Sequence, residues 1–293
     1  MVSGGQPRSA AQAGSDDGIK LPDNPLVKTW LHNRSGNTVR AYRANVAEFA
    51  RFVGKPFAEV ALEDLQAWHD SMSGAADATR RRKLSALKSL LTYGHKLGFL
   101  PHDAGMAFRL ERGRDNLNER ILTRPQVLAM IAAERDARRH ALLALLYGTG
   151  LRLSEACALK WRDLTRRQGG AIATVFGKGG KTRHVQVSPS LFKELVAVRV
   201  DSVPDAPVIP GHDGGPLHVR AAHRVVKRAA KRAGLAEDAS AHWLRHAFAS
   251  HQLDAGQNVH WVQAQLGHSS LATTTRYSHA SAETVGADLL NGL

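Results

Sequence analysis

The chain has 293 residues, of which 43% are hydrophobic, and it carries a formal net charge of +14 at pH 7. This length accommodates about two domains, and the charge predicts a polyanionic partner, because phosphates neutralised by lysine and arginine release counterions. A basic protein without such a partner, or one bound to ribosomes, is the alternative that charge alone leaves open. The single cysteine, Cys157, excludes an internal disulfide and cysteine-based zinc sites.

The beginning of the chain has the composition of a tail. Residues 1–22 are rich in serine, glycine, alanine and glutamine, and they lack the apolar centre of a signal peptide. We therefore predict a disordered tail and a cytoplasmic protein. Apolar runs stay below the roughly 18 residues that a membrane-spanning helix requires, so we expect no contact with a membrane.

Residues 23–110 predict an all-helical domain. Apolar residues recur at helical spacing from Val39 to Val53, and the following Gly54 ends that helix. Further apolar patterns predict helices over residues 62–68 and 79–93. Residues 24–112 carry 14 basic and eight acidic side chains, which indicates that this domain contacts DNA separately from the rest of the chain.

The predicted DNA contacts of this domain are cationic side chains on the polar faces of its helices. The run from Arg80 to Lys83 puts positive charge at a helix N-terminus, where it opposes the helix dipole. A phosphate partner would remove that penalty, although a solvated helix start is the simpler alternative. The candidates are Arg40, Arg43, Arg80, Arg81, Arg82, Lys83 and Lys88.

A polar stretch over residues 111–121 lacks apolar periodicity and predicts an interdomain linker. Residues 122–293 form the second predicted domain. Thr123 and Gln126 have the spacing of a capping box at the start of a helix. A strongly apolar helix follows over residues 138–147 and ends in a Gly-Thr-Gly sequence.

Strand character in the second domain is concentrated in two runs. Residues 171–176 and 182–187 are rich in alternating or β-branched residues and flank a glycine-rich turn, which predicts a hairpin. Helical patterns return from about residue 217. The predicted fold class is therefore mainly α, with a helical N-terminal domain and a mixed α+β C-terminal domain that contains a small antiparallel sheet.

The second domain also places a tyrosine among cationic and hydrogen-bonding residues. Tyr277 follows His268 by nine residues, and His242 lies three residues before Arg245, on one face of a helix. A phenol can attack phosphorus if its proton is removed and the developing charge is stabilised. Guanidinium groups bind nonbridging phosphate oxygens through a fixed fork of donors.

Five motifs follow one another in the second domain: Gly150-Leu151-Arg152-Leu153-Ser154-Glu155, Gly177-Lys178, His242-Trp243-Leu244-Arg245-His246, Leu266-Gly267-His268 and Thr273-Thr274-Thr275-Arg276-Tyr277. In order and approximate spacing, they resemble the tyrosine recombinase (phage integrase) family, especially its Xer-like members. The resemblance implies a SAM-like core-binding domain over residues 23–110 and a catalytic domain over 122–293. One departure is Trp243-Leu244, where the family suggests a smaller or aliphatic pair.

The resemblance also implies a role for each residue of the site. Tyr277 would be the nucleophile, and Arg152 with Arg245 would clamp the phosphate. Lys178 would donate a proton to the leaving 5′ oxygen. His242 would be a general acid/base suited to accepting the tyrosyl proton, and His268 would donate a hydrogen bond to the phosphate.

Several assignments remain open at the level of sequence. Lys181 and Arg183 compete with Lys178, and all three could simply contact backbone phosphates. Glu155 is expected to orient Arg152, and His246 is expected to brace the site. The alternative for the histidine-rich stretch is a metal site that comprises His242, His246 and His251.

The resemblance implies a site-specific recombinase that cleaves and rejoins duplex DNA through a 3′-phosphotyrosyl intermediate and a four-way junction. We expect no metal and no cofactor, because the phosphotyrosyl bond conserves the energy of the broken phosphodiester. The glycine-rich turn also lacks the spacing of a nucleotide-binding loop. A type IB topoisomerase-like activity and a non-catalytic DNA-binding accessory protein are the two alternatives.

The expected partners follow from the same resemblance. The active species would be a homo-tetramer on two core sites, with the free protein monomeric, acting in the cytoplasm at the nucleoid. A second recombinase subunit is a further possibility. The sequence does not distinguish chromosome segregation from phage, plasmid or transposon recombination, and it does not give the target DNA.

Overall fold

The computed structural model describes residues 24–110, 120–168, 170–177, 180, 182–237, 239–268, 270–275 and 277. The chain divides into two compact units, Met1–Arg114 and Asp115–Leu293. The predicted tail over residues 1–22 and most of the predicted linker over 111–121 lie outside the described residues. In the part that is described, no helix is long and apolar enough to cross a membrane.

Helices are the only regular secondary structure among the described residues of the first unit, as predicted. Its helices are α1 (Pro25–Leu31), α2 (Gly36–Val53), α3 (Leu62–Ser71), α4 (Asp77–Lys96) and α5 (Ala104–Ala107). The helix predicted over 79–93 begins two residues earlier and ends three residues later in the structure.

Apolar faces of these helices meet in one core. Phe49 from α2 lies edge-on to Trp68 from α3, with ring centroids 5.1 Å apart, and both side chains are buried together with Leu87 of α4. Helix α2 stops at Gly54, whose φ of 65° is a left-handed conformation that glycine adopts without a Cβ penalty. The helix boundary read from the sequence is therefore confirmed.

The second unit contains eight α-helices and three strands among its described residues. They are α6 (Arg124–Ala132), α7 (Ala137–Thr149), α8 (Leu153–Ala158), β1 (Leu164–Arg167), β2 (Gly170–Phe176), β3 (Thr182–Val187), α9 (Pro189–Ala197), α10 (Val219–Arg232), α11 (Ala241–Asp254), α12 (Val259–Leu266) and α13 (Leu271–Thr275). The predicted fold class, mainly α with a small antiparallel sheet, is confirmed.

The sheet is antiparallel with the order β1-β2-β3. Strands β2 and β3 pair from Ala171 opposite Val187 to Phe176 opposite Thr182, which confirms the hairpin. The sequence prediction missed β1, which pairs with β2 along its other edge. The sequence of β1, Leu-Thr-Arg-Arg, is short and mostly exposed, so it lacks the alternation that marks a half-buried strand.

Helix α7 is the central element of the second unit. Leu142, Leu143, Leu145 and Leu146 are all fully buried, so the helix is apolar on nearly every face. It packs against α6, α9, α11 and β3. Helix α6 begins with the predicted capping box, in which the Thr123 and Gln126 side chains each bond the other residue's backbone N–H.

The end of α7, the start of α8 and the end of α12 position the functional side chains. Helix α7 ends at Gly150, with φ of 64°, and Arg152 then precedes α8. Helix α12 ends at Gly267, with φ of 65°, directly before His268. A small apolar cluster of Phe248, Val262, Leu266 and Tyr277 lies beside these ends.

Candidate active site

Arg245 is a buried cation at the middle of the candidate site. Its side chain lies on α11 and only 4% of the residue is exposed. Nη1 donates to the backbone carbonyl of Gly150 at 2.6 Å, and Nη2 donates to that of Leu266 at 2.6 Å. Burial and the positive charge of Arg152 lower the pKa of Arg245 to about 10, so the guanidinium stays charged at neutral pH.

Arg152 is held by a carboxylate one helical turn away. Its Nη1 donates to Glu155 Oε1 at 2.9 Å, and its backbone N–H donates to Glu155 Oε2 at 2.8 Å. The side chain of Arg152 is 40% exposed, so the guanidinium keeps an open side. Glu155 therefore orients Arg152 in the structure, as expected.

Arg183 binds the same carboxylate from β3. Its Nη1 and Nη2 donate to the two oxygens of Glu155 at 2.9 and 2.7 Å, and its Nε donates to the Gln265 carbonyl at 2.9 Å. The Arg183 side chain is only 12% exposed. Its donors therefore bond protein acceptors in the structure, and the predicted contact of Arg183 with DNA stays a prediction.

Glu155 is consequently a buried anion between two arginines. Burial alone would raise the pKa of its carboxyl, but the hydrogen bonds and charges of Arg183 and Arg152 lower it from 4.5 to about 2. The carboxylate is thus ionised at any physiological pH and fixes both guanidinium groups.

His242 lies in the first turn of α11, within reach of the charges of Arg245 and Arg152. Desolvation by the surrounding protein lowers the pKa of His242, and the positive charges of Arg245 and Arg152 lower it further. The ring is therefore biased toward its neutral form, in which it can both donate and accept a hydrogen bond. Its centroid lies 6.2 Å from that of His246.

His268 follows the end of α12. Its Nδ1 lies 2.9 Å from the Thr274 hydroxyl. Burial lowers the pKa of His268 to about 4, and Arg245 and Arg152 are the largest charges that act with it. A neutral ring that accepts from Thr274 at Nδ1 would carry its proton on Nε2, where it can serve as a donor.

Tyr277 is buried beside two histidines. Only 3% of the residue is exposed, and its hydroxyl lies 2.6 Å from His246 Nδ1. The Tyr277 ring is nearly parallel to that of His268, with centroids 6.5 Å apart. The sequence assigns His246 only a bracing position, whereas in the structure it contacts the hydroxyl itself.

The hairpin connects to this cluster through Arg183, but two of the predicted residues cannot be placed. Lys178 and Lys181 lie outside the described residues. In the sequence they fall between Phe176 and Thr182, which pair across the hairpin, and Arg183 follows Thr182. Their predicted roles stay predictions.

The cationic candidates of the first unit fall into two groups. Arg40, Arg43 and Arg82 are exposed, and Arg81 is partly buried. The others have partners within the unit. Arg80 binds Asp77 at 2.5 Å, Lys83 binds Glu48 at 2.5 Å, and Lys88 donates to the Phe108 carbonyl. The exposed arginines are therefore the stronger candidates for DNA contact.

Sequence reasoning missed a basic face on α10. Ala222, Val226, Ala229 and Ala230 turn into the core, and the opposite face is cationic. Its exposed members are Arg220, Arg224, Lys227, Arg228, Lys231 and Arg232. The 3.6-residue spacing of the alanines and valines is the signal that would have identified this face.

The alternative of a metal site finds no counterpart among the described residues, where no group of three or more histidine, cysteine, aspartate or glutamate side chains is arranged to hold an ion. His251 Nδ1 instead lies 2.9 Å from the Tyr147 hydroxyl. Burial raises the pKa of the Cys157 thiol to about 11, consistent with a core residue.

Comparison with known proteins places this fold and site in one family. Residues 120–284 match the family model described as the phage integrase family, and residues 30–96 match that of the phage integrase N-terminal SAM-like domain. Tyrosine recombinase XerC of Xanthomonas campestris pv. campestris (strain B100) is 32% identical over 289 residues, which cover 94% of this chain and 89% of that protein. The XerC of Rhodospirillum centenum (strain ATCC 51521 / SW) is 34% identical over 280 residues, with 87% and 81% covered.

Solved structures share the fold at lower identity. XerH bound to a palindromic difH substrate, in a post-cleavage complex, has a TM-score of 0.68 and 24% identity, with 84% of this chain and 77% of that chain covered. A lambda integrase (75-356) dimer bound to a COC′ core site has a TM-score of 0.74 and 18% identity, with 90% and 96% covered.

The chain therefore belongs to the phage integrase family of tyrosine recombinases. It is a site-specific DNA recombinase, an enzyme that cleaves and rejoins DNA strands. These relatives do not favour the topoisomerase-like and accessory alternatives.

The ionised Glu155 predicts a dependence of stability on pH. The pKa of Glu155 in the folded protein, about 2, lies below its ordinary value of 4.5. The ionised carboxylate therefore stabilises the folded state fully above pH 4.5, and this stabilisation is lost as the pH falls toward 2. It amounts to about 3 kcal/mol at pH 7 and roughly half of that or less at pH 3. Urea denaturation of wild type and Glu155→Gln at both pH values measures the difference. Glu237→Gln, which changes an exposed carboxylate, is the control, and an equal loss at the two pH values would contradict the assignment.

Proposed function

We propose that Tyr277 is the nucleophile of the recombination reaction. Its hydroxyl attacks the scissile phosphorus, which forms a 3′-phosphotyrosyl bond and releases a 5′ hydroxyl. A 5′ hydroxyl from the partner duplex then attacks that bond and restores the phosphodiester. The observation that supports this most directly is the placement of the Tyr277 hydroxyl on a histidine nitrogen, in a cluster whose cations are already fixed by the protein.

Arg152 and Arg245 would stabilise the transition state. Negative charge accumulates on the nonbridging oxygens as the fifth bond to phosphorus forms, so fixed cations help more there than in the ground state. Two carbonyls hold Arg245 and one carboxylate holds Arg152. Both guanidinium groups are thereby oriented before DNA arrives, which avoids reorganisation during the reaction.

The remaining residues of the site would bond the phosphate oxygens and supply a proton to the leaving 5′ oxygen. Neutral His242 and His268 can each bond a phosphate oxygen, since their lowered pKa values keep both rings uncharged at neutral pH. Lys178 would protonate the leaving 5′ oxygen, as the family resemblance implies. Lys181 would contact a backbone phosphate nearby.

Duplex DNA would be held by cations on both units. We assign the basic face of α10 in the second unit, and Arg40, Arg43 and Arg82 in the first unit, to phosphate contacts. Such contacts supply sequence-independent affinity and set the position of the duplex. This arrangement would make residues 23–110 the core-binding domain, 111–121 the linker and 122–293 the catalytic domain.

The assembly we propose is a tetramer on two DNA sites that forms from monomers. A lambda integrase tetramer bound to a Holliday junction shares the fold, with a TM-score of 0.73 and 18% identity. Its four-way junction is the intermediate that two successive pairs of strand exchanges require. We place the reaction in the cytoplasm at the nucleoid, with a second recombinase subunit as an optional partner.

Replacement of the proposed nucleophile tests the reaction directly. Tyr277→Phe keeps the buried ring but removes the attacking oxygen, so it should bind DNA normally and form no covalent adduct. Nicked duplexes drawn from DNA that flanks the gene trap the adduct, and a denaturing gel detects it. An adduct that persists in Tyr277→Phe would refute the assignment of the nucleophile.

Arg152→Ala separates catalysis from binding. Loss of one fixed donor should slow adduct formation by ~100-fold or more, while affinity for a long duplex stays close to wild type because many other cations contribute. Single-turnover cleavage and equilibrium binding measure the two effects. The control is Arg162→Ala, which removes a 55% exposed guanidinium that pairs with Asp205. Equal loss of binding and cleavage would make Arg152 a DNA-positioning residue.

The basic face of α10 predicts an effect on the salt dependence of binding. The double variant Arg224→Gln/Arg228→Gln should lower DNA affinity, and it should reduce the slope of log K against log salt by up to about 0.9 for each lost phosphate contact. Titrations at several salt concentrations give the slope. The matched control is Lys160→Gln/Arg162→Gln, which removes the same charge from two side chains that both pair with Asp205. Identical slopes in both variants would remove α10 from the interface.

A further inference from the structure

Helix α11 carries two histidines that each contact a tyrosine hydroxyl through Nδ1. His251 lies 2.9 Å from the Tyr147 hydroxyl, and His246 lies 2.6 Å from that of Tyr277. The first pair joins α11 to α7. The second pair places a ring nitrogen on the atom that the proposed function makes the nucleophile.

We propose that His246 is the residue that holds the Tyr277 hydroxyl and takes its proton during attack. This inference rests on the proposed function of Tyr277. In the forward step, the proton moves from Tyr277 Oη to His246 Nδ1 as the Oη–P bond forms and the P–O5′ bond breaks. The 5′ oxygen receives its own proton from Lys178. In the rejoining step, the incoming 5′ hydroxyl gives its proton back to Lys178 as it displaces the tyrosine, and His246 returns the other proton to Oη.

The positions of the three nearby histidines assign this proton to His246. Direct proton transfer needs atoms within hydrogen-bond reach, and the His246 ring is in such contact with the Tyr277 hydroxyl. His268 faces the Tyr277 ring and uses Nδ1 for Thr274. His242 lies one turn earlier on α11, with its ring centroid 6.2 Å from that of His246, and the charges of Arg245 and Arg152 act on it.

This arrangement gives His242 and His246 of α11 different roles. The resemblance to the family favours His242 for the tyrosyl proton, whereas the contact at the hydroxyl favours His246. His242 then remains with the arginines at the phosphate. His246 acts on the nucleophile and Lys178 acts on the leaving group, so each of the two oxygens that change protonation has its own acid or base.

His246→Asn isolates proton transfer from positioning. The asparagine amide can still bond the Tyr277 hydroxyl, but it cannot accept a proton. We expect single-turnover adduct formation on the nicked duplex to fall by ~100-fold or more, with DNA affinity and the urea midpoint close to wild type. His246→Gln, with a longer side chain, is the second variant if His246→Asn fails to fold. His251→Asn makes the same change at the other histidine–tyrosine pair and should cleave at the wild-type rate.

A sulfur-substituted substrate distinguishes the nucleophile side from the leaving-group side. A 5′-bridging phosphorothiolate leaves as a thiolate, which needs no proton because a thiol has a pKa of about 8.5. This substrate should restore cleavage by Lys178→Ala and should leave the defect of His246→Asn in place. Wild-type cleavage by His246→Asn, or its rescue by sulfur, would overturn the inference and leave the proposed function intact. An adduct formed by Tyr277→Phe, or none formed by wild type, would overturn the proposed function and this inference with it.

Discussion

The site depends on the buried guanidinium of Arg245, which joins three segments that are distant in sequence. It bonds the carbonyl of Gly150 at the end of α7 and the carbonyl of Leu266 at the end of α12, while its own backbone belongs to α11. A Cβ on Gly150 would lie 2.5 Å from a Phe248 carbon, so only glycine allows this approach, and its φ of 64° also favours glycine. Two helix ends thus orient a cation, and the cation satisfies carbonyls that the helices leave unpaired.

The electrostatics of the resting site favour an anion. Glu155 is the carboxylate that fixes both Arg152 and Arg183, and Arg245 adds a further buried positive charge. Burial lowers the pKa of the neighbouring histidines, and these positive charges lower it further; the effect is clearest at His268, with a pKa of about 4. These arginines repel one another in the free protein. A DNA phosphate would offset the excess positive charge and attract the same arginines when it binds.

Much of the fold could be predicted from local pattern, because helix periodicity, the capping box at Thr123 and the glycine-rich hairpin turn are short-range features. Strand β1 was missed because its residues are mostly exposed and its pairing with β2 is what makes it a strand. Family resemblance supplied the candidate residues, but it could not supply their contacts. Arg183 donates to the carbonyl of Gln265, which is 82 residues away in the sequence. The hydroxyl of Tyr277 contacts His246, which is 31 residues away in the sequence.

Such long-range contacts explain why neighbouring residues on one helix have different environments. His242, Arg245 and His246 fall within five positions of α11, and sequence spacing alone puts Arg245 and His246, three and four residues after His242, on the same face as His242. What separates their environments is the packing of other segments: the arginine-bearing end of α7 approaches His242 and Arg245, and Tyr277 approaches His246. The same helix can therefore present hydrogen-bonding groups to a phosphate and to a nucleophile at once, because different parts of the fold bring those two partners to it.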